Sequence, residues 1–172
     1  MNDKPTVKFR GNPEHLAKLK EGVKAWNVWR EKAPNTRPDL MGADIVGADL
    51  HGADLTEADL KYALLERTNL KNADLTAVAL NGADLTAADL KAARLKRANL
   101  RGATLEYAIL DEAFLEDADL EEAVLRGASL KCPCLEGANL TSVDLEGADL
   151  SMADLVGARM ASARLVNAHM HG

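Results

Sequence analysis

The sequence predicts an all-β solenoid, a chain wound around one dry axis, preceded by one α-helix. Three observations point there. Every fifth residue from Leu40 to Met170 is a large aliphatic, Leu at 24 of the 27 positions, with Ile45, Met160 and Met170 as the others. Two residues before each of these, 22 of the 27 positions are Ala. Ten of the 12 Gly residues stand two after the aliphatic, where a corner wants a residue tolerant of positive φ.

This spacing excludes simpler elements. On an α-helix a step of five advances the side chain by about 140°, which scatters the Leu residues around every side. On a long strand an odd step sends successive Leu residues to opposite faces. A short extended piece, with Ala and Leu two apart and pointing the same way, satisfies both spacings if a two-residue corner follows it. Repeated, it winds into a coil with Ala and Leu inside. Asp or Asn directly precedes the aliphatic in 15 of the 27 units, facing outward where its short side chain can bond backbone amides at the turn.

Residues 1–36 are a helical cap and linker, with a helix over about 13–32. Asn12 is a helix N-cap, Pro13 suits the first helical position and Glu14 follows. Leu16, Leu19, Val23 and Trp26 then recur on one face, and Trp29 less regularly, before Pro34. Those four are the candidate capping residues, since an indole can lie flat on the end of a Leu and Ala core. Gly22 is a weak point in this helix.

Residues 37–172 carry the repeats. Their units, often Ala-Asp-Leu-x-Gly as around Ala48, Ala53 and Asp54, resemble the pentapeptide-repeat proteins, and the resemblance covers residues 38 to 172. It implies a right-handed quadrilateral β-helix with four units per coil, hence between six and seven coils in a rod roughly 30 Å long. It also implies that a helix before the repeats is a cap. Within the family, some quinolone-resistance proteins present carboxylates to DNA gyrase on a rod of DNA-like width. Those relatives favour Phe at central positions and carry a C-terminal dimerising element, and this chain shows neither.

Charge divides the chain as the patterning does. The net charge is −6, but residues 1–36 hold eight basic and four acidic side chains, a net of +4, and the rest hold 13 and 23, a net of −10. An acidic rod disfavours direct contact with nucleic acid or an anionic membrane. Imitation of nucleic acid is one alternative, and turn capping with solubility is the simpler use of the same Asp residues. At an offset of 20, Lys91 meets Asp111, Lys96 meets Glu116, Arg97 meets Asp117, Arg101 meets Glu121 and Asp111 meets Lys131, which predicts ladders of opposite charge between coils.

The last coil, carrying Leu155, Met160, Leu165 and Met170, is followed by no second capping helix. It is expected to be open, and to be covered by a second copy stacked end to end or by an unknown protein partner. Outward apolar residues give a further candidate surface: Leu64, Ile109, Phe114 and Val124 replace Asp or Asn, and Tyr62 and Tyr107 occupy corners. Tyr107, Ile109, Phe114, Met160 and Met170 are therefore the candidate interaction residues. Cys132 and Cys134 flank Pro133 without the spacing of a zinc or thioredoxin-like site, although they allow a small-ligand or metal alternative near Phe114. Reduced thiols suit a cytoplasmic protein. The four His residues form no spaced cluster with carboxylates, and no phosphate-binding, dinucleotide, zinc-protease or nucleophile-elbow motif is present. No export signal and no membrane-spanning apolar run is found. The expectation is a non-enzymatic structural or protein-interaction module with no cofactor.

Overall fold

A computed structural model describes residues 8–171. The beat of five closes into a coil of 20. From Asp39 to Asp149, each residue that precedes a core aliphatic is bridged in parallel to the residue 20 positions later, Asp39 with Asp59, Asp44 with Leu64, and so on to Asp149 with His169. Twenty residues are four units, so each coil has four short walls and four corners, and neighbouring coils stack wall on wall.

The unit around Leu60 shows how the backbone is satisfied. Asp59 N–H donates to Pro38 of the preceding coil (2.8 Å), and Leu60 N–H donates to Ala79 of the following one (2.8 Å). Tyr62 N–H donates to Asn81 (3.1 Å), and Ala63 N–H closes the corner on Leu60 (3.1 Å). That leaves Lys61 N–H, which donates to Asp59 Oδ1 (3.2 Å). The same two-residue side-chain bond forms at each of the 15 positions where Asp or Asn precedes the aliphatic. The recurring acid thus takes the one amide per unit that has no backbone acceptor. Where Ser129 stands instead, Lys131 N–H reaches Asp111 Oδ1 of the preceding coil (3.0 Å).

The third residue of each corner has positive φ, as a type II turn requires. From Gly42 to Asn167 these angles run from 53° to 70°, and most of the residues are not Gly; Glu57, Tyr62 and Arg67 are examples. The corner amide's bond to the next coil offsets the strain of roughly 1–2 kcal/mol that a side chain meets there. Glycine is required for a second reason at Gly82 and Gly127. A Cβ there would lie 2.8 Å from ring carbons of Tyr62 and Tyr107, whose rings lie across the corner of the following coil.

Inside, the Leu positions from Leu40 to Leu150 and nearly all their Ala partners are buried in one cluster. Thr68, at an Ala position, is fully buried and donates its hydroxyl to Ile45 C=O (3.0 Å), so the substitution adds no unmet polar group.

The single helix expected over 13–32 is two: α1, Pro13–Lys20, and α2, Val23–Lys32. Gly22 separates them with φ 102° and ψ 161°, outside the helical region, a conformation only glycine adopts cheaply. Asn12 Oδ1 accepts from Glu14 N–H (2.8 Å), so the predicted N-cap forms. Leu19 and Trp26 are buried against the first coil, and Leu16, Val23 and Trp29 pack partly buried beside them.

The cap also supplies the hydrogen bonds of an absent coil. In the ladder, a residue such as Asp54 donates its amide to the preceding coil, and its carbonyl and that of Thr56 accept from it. Here Asp54 N–H donates to Asn27 Oδ1 (2.9 Å), Trp26 Nε1 donates to Asp54 C=O (2.7 Å) and Arg30 Nη2 donates to Thr56 C=O (3.1 Å). On the adjoining wall, Asp39 N–H donates to His15 Nδ1 (3.0 Å), while Asn12 N–H reaches Asp39 C=O (2.9 Å) and Arg10 N–H reaches Met41 C=O (3.0 Å). Side chains and loop amides stand in for a strand edge on two walls.

Candidate functional site

The opposite end has no such cover among the described residues. Ala153, Leu155, Ala158, Met160, Ala163 and Ala168 are only partly buried, Leu165 is 39% exposed and Met170 44% exposed. Val156 and Met152, on the rim, are exposed at 68% and 65%. In every earlier coil the Leu amide donates to the next coil, as Leu150 does to His169 (2.7 Å). The amides of Leu155, Met160, Leu165 and Met170 find no acceptor among the described residues. An apolar layer rimmed by unpaired ladder amides is a surface for apolar contact or for addition of a strand.

Tyr107 stands at a corner and Ile109 on the wall that follows it, at 67% and 38% exposure, while Phe114, 47% exposed, stands on the adjoining wall in bridge register with Arg94 and Cys134. The hollow around Phe114 is lined by Arg94, Lys96 and Glu116. Phe114 is thus set among charges. A second hollow continues along the same corner, lined by Lys96, Glu116, Asp117, Glu136, Gly137, Val156 and Gly157.

The predicted charge ladders form in part. Arg101 pairs with Glu121 as expected. Lys91 pairs with Glu112 (3.1 Å) on the following coil rather than with Asp111, and Lys131 pairs at an offset of 18 with Asp149 (3.6 Å), because long cationic side chains at a corner reach diagonally between coils. Lys71 with Asp89 (2.9 Å) and Arg126 with Asp144 (2.7 Å) follow that diagonal. Lys96 with Glu116 and Arg97 with Asp117 form no ion pair, and Glu116 Oε2 is shut off from solvent without a hydrogen-bond donor.

The pKa values of Asp144 and Asp149 are shifted. Partial burial pushes Asp144 up, but the Arg126 hydrogen bond, the Glu146 amide and the Arg126 and Arg164 charges outweigh it and hold the group below the usual carboxylate range. Asp149 is held low by the Ser151 hydroxyl first, then by the Ser151 amide, with Lys131 adding its charge.

Cys132 is exposed and Cys134 half-buried, both free thiols. Pro133 has no N–H to close their corner, yet its carbonyl keeps the ladder by accepting from Asp154 N–H (3.0 Å). Among the described residues no group of three or more His, Cys, Asp or Glu is placed to hold a metal ion, and no helix is long and apolar enough to cross a membrane.

The sequence model of the family described as Pentapeptide repeats matches residues 39–72, 68–106, 98–131 and 134–172. No curated protein matches the chain. Among solved structures, the chain is 33% identical to HetL, a pentapeptide repeat protein involved in heterocyst differentiation regulation from the cyanobacterium Nostoc sp. strain PCC 7120, covering 75% of this chain and 73% of that one at a TM-score of 0.41. It is 25% identical to Rfr23 from the cyanobacterium Cyanothece 51142, covering 84% and 97% at a TM-score of 0.44. A pentapeptide repeat protein from the Arabidopsis thaliana thylakoid lumen is 36% identical over 60% of this chain and 68% of that one, at a TM-score of 0.40.

Proposed function

We propose that this chain, which belongs to the pentapeptide repeat family, is a non-enzymatic protein-interaction module that binds through the exposed layer of its last coil. The observation that carries the reading is the contrast at that layer: Leu150 is 2% exposed, whereas Leu165, Met170 and Val156 are 39%, 44% and 68% exposed, beside four amides without acceptors among the described residues. The occupant is a protein with an apolar face and a free strand edge, and a second copy stacked end to end satisfies both requirements. The reading takes the coil as a right-handed quadrilateral helix of six to seven turns, in keeping with the family. A cytoplasmic location belongs to the same reading and accords with the two free thiols.

Sedimentation velocity across a concentration series tests it. Self-association at high salt that Met160→Lys with Met170→Lys abolishes, while thermal melting by circular dichroism stays close to that of the parent, is the expected result. A monomer at every concentration overturns the end-to-end form. The DNA-mimic alternative gains no support from the wall carboxylates, whose recurrence the amide bonds already account for. A gyrase supercoiling assay decides that alternative directly.

A further inference from the structure

We propose that the corner carrying Arg94, Lys96 and Arg97 on one coil and Phe114, Glu116 and Asp117 on the next is a self-complementary surface on which a second copy of this chain lies side by side and antiparallel. This contact is on the wall, and it neither needs nor excludes one at the tip.

The argument begins from charges left over. Most corner cations along the coil meet a carboxylate, as Arg126 meets Asp144 (2.7 Å) and Lys71 meets Asp89 (2.9 Å). At this corner Lys96 and Arg97 stand a coil away from Glu116 and Asp117, yet neither cation pairs with a carboxylate among the described residues, and Glu136 one coil further on has no ion pair there either. Glu116 has no bond to lose on turning outward, since its Oε2 has no donor. Phe114, half-exposed, heads the acidic row in a hollow shared with Lys96, Glu116 and Arg94, the last paired with Asp74 (3.5 Å) of the coil before.

The order of these residues along the rod selects the partner. The rows lie about 4.8 Å apart, the basic one before the acidic one. A two-fold axis lying in the plane of contact, at right angles to the rod and midway between the rows, lays the basic row of one copy on the acidic row of the other. Lys96 then faces the second copy's glutamate, Arg97 faces its aspartate, and the Arg94 guanidinium faces the Phe114 ring, each contact occurring twice. A copy running in the same direction and register opposes like charges. The rest of the corner leaves room for this approach, because Ala77 precedes the two rows, and Gly137 and Gly157 follow them with bare backbone.

Charge-swap complementation tests the proposal in full-length chains that also carry Met160→Lys and Met170→Lys, so that contact at the tip is removed. The expected result in sedimentation velocity is association that weakens as salt rises. Lys96→Glu with Arg97→Glu, and separately Glu116→Lys with Asp117→Lys, each weaken it by more than about tenfold through like-charge opposition, and an equimolar mixture of the two variants recovers it. Circular dichroism melting close to the parent's shows that each variant is folded. A tip-blocked chain that stays monomeric at low salt, or swaps that leave association unchanged, or a mixture that fails to recover it, overturns the proposal. Recovery with a different protein only is a further contrary outcome.

Discussion

The two ends of this rod begin from the same repeat and finish differently. At the first coil, Trp26, Asn27, Arg30 and His15 supply the donors and acceptors that a further coil would supply, and Trp26 is fully buried over the aliphatic layer. At the last described coil the same layer is uncovered, and four of its Leu-position amides lack acceptors among the described residues. The contrast shows that a β-solenoid end is a specific demand, for apolar cover and for particular hydrogen bonds, which side chains can meet as well as a strand. An end left with that demand is where a partner gains most.

The largest effect that separates the regions comes from one substitution made twice. Leu95→Lys places a charge in the fully buried core and is expected to abolish cooperative folding, whereas Leu165→Lys, at a 39% exposed position, leaves a folded chain. Thermal melting by circular dichroism reads both, and equal loss at the two positions would erase the contrast. Trp26→Ala comes next, at about 3–5 kcal/mol, because it removes a buried indole together with the donor to Asp54 C=O. Urea denaturation measures it, and a cost well under that range would show that the cap is an ornament.

A smaller effect probes the walls between the ends. Asp89→Ala frees the Lys91 amide and is expected to cost about 1 kcal/mol, while Asp89→Asn retains the acceptor and costs less. Matched losses for both would assign the position to charge instead. The smallest effect is pH. Asp144 and Asp149 have folded pKa values below their unfolded ones, so their contribution is present above the unfolded value of about 4 and is lost as pH falls through the folded value. Melting temperature is therefore expected to decline only in acid, with a modest part of the decline removed in Asp149→Asn. A decline beginning near neutrality would implicate other groups.

Much of this was readable in the residues because the repeat is a local code. The aliphatic beat placed the core, and the Asp or Asn before each Leu placed the side-chain bond that appears at all 15 such positions. The 20-residue register was not in the beat; it came from the resemblance, and the bridges carry it. What stayed hidden depends on side-chain length and three-dimensional fit. Lys91 choosing Glu112 over Asp111 follows from diagonal reach, which an offset along the sequence does not express. Trp26 and Leu19 read as apolar cover, but Asn27 and Arg30 do not stand out, because a polar residue on a helix ordinarily faces water. Their signal is that both follow directly on the buried Trp face. Gly22 marked a weak point in one helix, and the structure makes it a boundary between two.

Residue-resolved amide hydrogen exchange on the monomer tests the contrast between the ends most directly. The account predicts that Asp39 and Asp54 amides, held by His15 and Asn27, exchange as slowly as those of the central coils, while Leu155, Met160, Leu165 and Met170 amides exchange rapidly and slow only as association proceeds. Last-coil amides as protected in the monomer as that of Leu100 would contradict it.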